Sequence, residues 1–180
     1  MSTCEKCNTA CCSRFNIFLT ASDIKRIQRS LKLDPIDFTS PFPASDFPSP
    51  SVYPKFKIED EWAYLALDKK LGKQECVFLL TPGNSKRCGI NAFKPMVCRT
   101  YPFTLDSAEN LETVDPFICP KYWWPEKKER VRAVNDITVQ RKELEEYRKL
   151  VECWNENNSH HEYFLGFLTY LISSKSRPSV

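Results

Sequence analysis

The apolar positions of the chain fall into short blocks that change period several times. Phe15-Asn16-Ile17-Phe18-Leu19 is a small apolar run that predicts a strand or extended segment. Thr20-Ala21-Ser22-Asp23 follows as a helix start, with a capping hydroxyl and an acid three residues on. Ile24, Ile27 and Leu31 recur at helical spacing, so a helix packed on one face is predicted over 22–32, ended by Asp34-Pro35. Residues 39–54 hold Pro41, Pro43, Pro48, Pro50 and Pro54, and the spacing predicts a surface loop or insertion without regular structure.

Two apolar stretches, 62–67 and 76–80, predict strands. Thr81-Pro82-Gly83-Asn84-Ser85 is turn chemistry, and Arg87-Cys88-Gly89-Ile90 returns as a partner strand, which makes a hairpin with Cys76 and Cys88 near its arms. Residues 94–103 predict a short helix, with Pro95 in its first turn and Pro102 as its stop. Beyond residue 125 the character changes. Residues 126–153 are charged and helix-favouring, with a broken apolar stripe, and predict a helix about 40 Å long. After the break at 155–159, residues 161–174 predict a second amphipathic helix. The expected fold is α+β: an irregular, cysteine-stapled metal-binding core of short strands, a hairpin and helices over 1–125, with a C-terminal helical pair over 126–180 packed on it.

Composition narrows the class. The chain has 180 residues, 42% hydrophobic and 27% charged, with 13 prolines against 4 glycines. These values suit a globular core with long irregular stretches. A net charge of +3, with both signs interspersed, gives no footprint for nucleic acid. No apolar run approaches the ~20 residues of a membrane helix. The start, Met1-Ser2-Thr3-Cys4, has neither the basic nor the apolar region of a signal peptide, so a cytoplasmic protein is expected.

That compartment decides how nine cysteines are read. In reducing cytosol a cysteine pattern points to metal or catalysis, and an odd count leaves one thiol over from any complete disulfide framework. Cys4-x2-Cys7 is a metal-knuckle spacing, in which a tight turn brings two sulfurs to one ion. Cys11 and Cys12 add two thiols to the same short segment, and adjacent cysteines project differently. The order x2 then x3 does not match the Cys-x3-Cys-x2-Cys loop of radical S-adenosylmethionine enzymes, nor the ferredoxin run. Cys76, Cys88, Cys98 and Cys119 form a second set, at hairpin arms, a short helix and a Cys-Pro step. Lone buried cysteines sit inside elements as small hydrophobes, whereas these stand at element ends, where ligands belong. The eight thiols suffice for two four-coordinate sites or for one cubane cluster with four to spare. Cys153, in the long helix beside Trp154, reads as a plain helix cysteine.

These residues resemble the YkgJ-type cysteine-cluster family, also described as a zinc- or iron-chelating domain. Cys4, Cys7, Cys11 and Cys12 match its opening, and the segment Ile17 to Ile27 resembles its extended stretch and helix. Cys76-Val77-Phe78-Leu79 and Arg87-Cys88-Gly89-Ile90 resemble its middle. The most specific likeness is Lys94-Pro95-Met96-Val97-Cys98-Arg99-Thr100-Tyr101-Pro102-Phe103, with Cys119 as a later match. The chain departs at Lys94, where the family usually carries arginine; charge is kept but bidentate hydrogen bonding is lost. The resemblance implies cysteine ligation of an iron–sulfur cluster or, alternatively, zinc. One branch is similar to the flagellin lysine N-methylase, an iron–sulfur protein, which implies a redox or protein-modifying role on a protein partner or substrate that the sequence does not specify. The zinc alternative is a non-enzymatic structural or interaction module.

Arg99, directly after Cys98, is the candidate cofactor-binding cation, since a positive charge beside a thiolate cluster offsets its charge; a surface ion pair is the other role open to it. His160-His161 reads as a solvated pair in a polar linker, and Trp123-Trp124 as a hydrophobic lid over the metal region. Four isolated glycines make no phosphate loop, so a Rossmann-type methyltransferase is not expected here. With no Gly-x-Ser-x-Gly and only two histidines, a hydrolase is not expected either.

Overall fold

The computed structural model describes residues 10–47, 51–83, 85–114, 126–157 and 163–174. Helices and short antiparallel sheets alternate, followed by two C-terminal helices, so the fold is α+β. The chain divides into two compact units, both discontinuous in sequence: Met1–Ile17 with Lys69–Arg141, and Phe18–Asp68 with Lys142–Val180.

The second unit holds most of the apolar core. Its helix α2 spans Ala21–Leu31 and starts on the predicted capping box. The Thr20 side chain accepts from the Asp23 amide at 3.2 Å, and the Asp23 carboxylate accepts from the Thr20 amide at 3.0 Å. Ile24 and Ile27 are fully buried on its inner face. Three antiparallel strands, β1 (Thr39–Pro43), β2 (Phe56–Ile58) and β3 (Glu61–Leu67), pair in the order β1-β3-β2. Residues 63–67 of the central strand are all buried, so the strand is covered on both faces and reads as a continuous apolar run. The extended segment before α2 joins this sheet, with the Leu19 amide donating to the Leu65 carbonyl at 2.9 Å. Phe18 packs among Phe42, Phe47, Tyr53 and Tyr64.

The proline-rich stretch departs from expectation. Residues 39–43 form a strand rather than a loop, pairing Pro41 with Leu65 and Pro43 with Ala63. Proline lacks a donor and is tolerated on edge strands, and β1 is an edge. Counting prolines therefore misread a segment in which Thr39, Phe42 and their neighbours supply the strand.

The long helix α4 runs Lys127–Glu156, and α5 runs Phe164–Ser173. Leu144, Tyr147, Val151 and Trp154 are the buried stripe of α4 in the second unit, at helical spacing. Phe167 of α5 stacks on Phe56 at 3.9 Å between ring centres and meets Trp154 edge-on at 5.2 Å. Thr20→Ala removes the cap of α2 and one arm of a buried polar group, and is expected to lower stability by about 1–2 kcal/mol in thermal or denaturant melts, with helix content little changed.

The first unit is built from smaller pieces: α1 (Ala10–Arg14), a hairpin of β4 (Leu79–Leu80) and β5 (Arg87–Cys88), α3 (Met96–Thr100), a hairpin of β6 (Phe103–Leu105) and β7 (Leu111–Thr113), and the first half of α4. The predicted helix over 94–103 is thus shorter than expected. Pro95 caps it, it ends at Thr100, and Phe103 begins a strand. Phe103, Leu105 and Ile137 form a small core flanked by Leu111, Ala133 and Val134. Gly83, at φ +58°, makes the turn of the first hairpin.

Candidate metal centre

Three stretches of the first unit carry its described cysteines. Cys11 and Cys12 occupy the single turn of α1, where successive side chains project about 100° apart. Cys76 is tied to them through the backbone, its amide donating to the Cys12 carbonyl at 2.7 Å. Cys76 also opposes Lys69 in an isolated antiparallel bridge. Cys88 pairs with Leu79 across the first hairpin. Beside it, a Cβ on Gly89 would come within 3.2 Å of the Leu80 side chain and the Phe78 carbonyl, a close approach that a larger residue could take only if those neighbours gave by a few tenths of an ångström. Cys98 lies in α3, its amide bonded to the Pro95 carbonyl at 3.0 Å. Pro95 therefore starts the turn that carries the cysteine.

The five thiols act on one another electrostatically. Cys11 is drawn down to about 6, first by a hydrogen bond from the Cys12 thiol, with burial opposing and backbone N–H groups and Lys94 assisting. Cys12 moves up, first because its hydrogen is held by Cys11, then through burial and the charges of Cys11, Cys98 and Cys76. Of the two, Cys11 is the thiol favoured to ionise. Burial pushes Cys76 up, with Cys88 and Cys11 adding to the rise and the Phe78 N–H and Lys69 opposing it. Burial pushes Cys98 up further, with Cys11, Cys76 and Cys88 repelling its charge and Lys94 attracting it. Like charges in one partly buried place cannot all ionise, and each thiolate formed there hinders the next.

Arg99 lies in α3 directly after Cys98. Its guanidinium turns back onto the chain, donating to the Ala92 carbonyl at 2.8 Å and the Lys94 carbonyl at 3.3 Å. Lys94 and Lys69 are the cations among the leading charges on the thiols. Lys69 was passed over in the sequence because it lies in a polar stretch seven residues from the nearest cysteine. Its position opposite Cys76 in a hairpin is the signal that could have found it.

Cys4, Cys7 and Cys119 lie outside the described residues, as do His160, His161, Trp123 and Trp124. Cys153 belongs to the second unit, exposed on α4, with the Asn157 side chain bonded to its carbonyl at 2.8 Å. The described cysteines are thiols, not disulfides. Among the described residues, no group of three or more His, Cys, Asp or Glu side chains is arranged so that it could hold a metal ion. The described thiols of the first unit bias one another's ionisation. The donor chemistry, all sulfur and anionic when ionised, fits a soft or borderline metal.

A family model named CxxCxxCC, described as "putative zinc- or iron-chelating domain", matches residues 3–120. No curated protein and no solved structure matches the chain.

Proposed function

The chain belongs to the CxxCxxCC family, and from that premise we propose that its first unit chelates metal through cysteine thiolates, as an iron–sulfur cluster with a redox or protein-modifying role. The observation that carries this reading is the bond from the Cys76 amide to the Cys12 carbonyl, which ties the Cys11-Cys12 turn to the segment of Cys76, with Cys11, Cys12, Cys76, Cys88 and Cys98 biasing one another's ionisation. Filling a core would not need thiols that oppose one another's ionisation, whereas a cation among them turns that repulsion into ligation. Cys4, Cys7 and Cys119 are the further thiols available to complete the shell.

When bound, a cluster would supply electron-transfer capacity, and the chain's own part is to hold the sulfurs, exclude water and set the surrounding charge. A second reading, a structural zinc site in a non-enzymatic protein, is favoured by the small apolar core of the first unit, which leaves room for a metal to contribute to its folding. We place the protein in the cytoplasm, acting on or with another protein; among the described residues no helix is long and apolar enough to cross a membrane.

Anaerobic purification followed by a visible spectrum and counts of iron, zinc and acid-labile sulfide separates the two. A brown protein with stoichiometric iron and sulfide is expected. A colourless protein with stoichiometric zinc overturns the cluster and leaves the zinc site; a protein holding neither metal overturns both.

A further inference from the structure

Two lysines lie on the stretches of the first unit that carry its thiols. Lys94 is 9% exposed, a burial that lysine seldom reaches without a partner. It directly precedes Pro95, the residue that caps α3 and so positions Cys98. Its backbone is fixed by Arg99, whose guanidinium bonds to the carbonyls of Lys94 and Ala92. Lys69 approaches from the other side of the sequence. Directly opposed residues of an antiparallel bridge share a face with Cβ atoms about 5 Å apart, which puts the Lys69 stem beside Cys76. Its ammonium group donates to the Phe15 carbonyl at 2.5 Å, one residue beyond the turn that carries Cys11 and Cys12.

Charge counting gives this placement a purpose. A divalent centre held by four thiolates keeps a net charge of about −2, which is costly to seat in a partly buried site. Two ammonium groups balance it. We propose that Lys94 and Lys69 are counter-charges built into the thiol site, matching it to a centre whose thiolate ligation leaves it dianionic, with Arg99 a positioning residue that acts through Lys94. The inference rests on the metal-binding reading and adds to it which residues tune the site.

The test uses the full chain, stripped of metal under reducing, anaerobic conditions and titrated with Co2+ alone, the sulfur-to-cobalt absorbance reporting thiolate ligation. Lys94→Met keeps the apolar stem and removes the charge; it is expected to weaken Co2+ binding about 10- to 100-fold, the usual span for a partner outside the ligand shell. Lys94→Arg is expected to retain the wild-type affinity, which a purely steric role would not predict. Lys69→Met should weaken binding in the same direction, and it decides the matter if Lys94→Met does not fold by circular dichroism. Folded Lys94→Met and Lys69→Met variants that bind Co2+ as the wild type does overturn the counter-charge role while leaving metal binding intact. A wild-type chain with no thiolate–cobalt absorbance overturns the metal-binding reading itself.

Discussion

Cys98→Ser is expected to lose bound metal and fold stability together. The exchange of sulfur for oxygen barely alters volume, but a hydroxyl is a poor ligand for zinc or for a cluster iron. Cys98 stands on a five-residue helix, α3, which is too short to hold itself by backbone bonds alone. In a unit with a small apolar core, metal binding is part of folding, and structural zinc sites contribute on the order of 10–16 kcal/mol at neutral pH. The variant should therefore show lowered metal content, a lower melting temperature and reduced solubility in the same preparation. Cys7→Ser should behave alike. Cys153→Ser, at an exposed helix position, serves as control and should stay within about 0.5 kcal/mol of the wild type. A Cys98→Ser protein with full metal content and an unchanged melting temperature would remove Cys98 from the ligand set.

The sequence put Cys11 and Cys12 in one set and Cys76, Cys88 and Cys98 in a second, whereas the Cys76 amide bonds to the Cys12 carbonyl and ties one set to the other. Cys11 and Cys12 are neighbours, and the hairpin chemistry at 81–85 foretells that Cys76 and Cys88 approach. What spacing could not show is the charge arrangement. Arg99 sits beside Cys98 in sequence, yet a side chain on a one-turn helix can fold either way, and the carbonyls left open at Ala92 and Lys94 take its donors. Lys94 drew notice only as a departure from the arginine expected there, and its burial is a tertiary fact. The role of Lys69 depends on a bridge that closes through the turn at 70–75, where Lys70 donates its amide to the Glu75 carbonyl at 2.8 Å.

The fold divides in the same way between local and tertiary information. The start of α2 was readable to within one residue, because a capping box is a four-residue chemical device and Thr20 and Asp23 complete it. The central strand β3 was readable because an apolar run of that length has few alternatives. The strand β1 was hidden by its prolines, which weigh against a strand until its edge position is known. The hairpin β6–β7 was missed because Phe103 was assigned to the preceding helix. Its signal was present in Asp106, whose carboxylate accepts from the amides of Ala108 and Asn110, both at 2.8 Å, and closes the turn between two short alternating runs.

Arg26→Met is expected to be the most damaging change in the second unit. Asp23 is fully buried, and its carboxylate accepts from the Thr20 amide and hydroxyl on one oxygen and from Arg26 at 2.6 Å on the other. The other arm of the same guanidinium bonds to Glu143 of α4. Removing Arg26 leaves two carboxylates facing one another with no cation between them, and breaking one partner out of such a network costs about 3–5 kcal/mol. The pH dependence carries the signature. Burial, and then the charge of Asp23, hold Glu143 above the usual carboxylate range, while Arg26 opposes the rise. A carboxyl whose folded value is raised binds its proton more tightly in the folded state, so it favours folding in acid and loses that contribution as pH climbs through the window between the two values. Without Arg26 the window widens upward. The variant should accordingly be most destabilised near neutral pH and recover part of the loss in mild acid, and Arg26→Met with Glu143→Gln should recover most of it at neutral pH. Denaturant melts at the two pH values measure this directly. A loss that is the same at both, and that Glu143→Gln does not relieve, would show that the guanidinium contributes by packing rather than by holding the two carboxylates together.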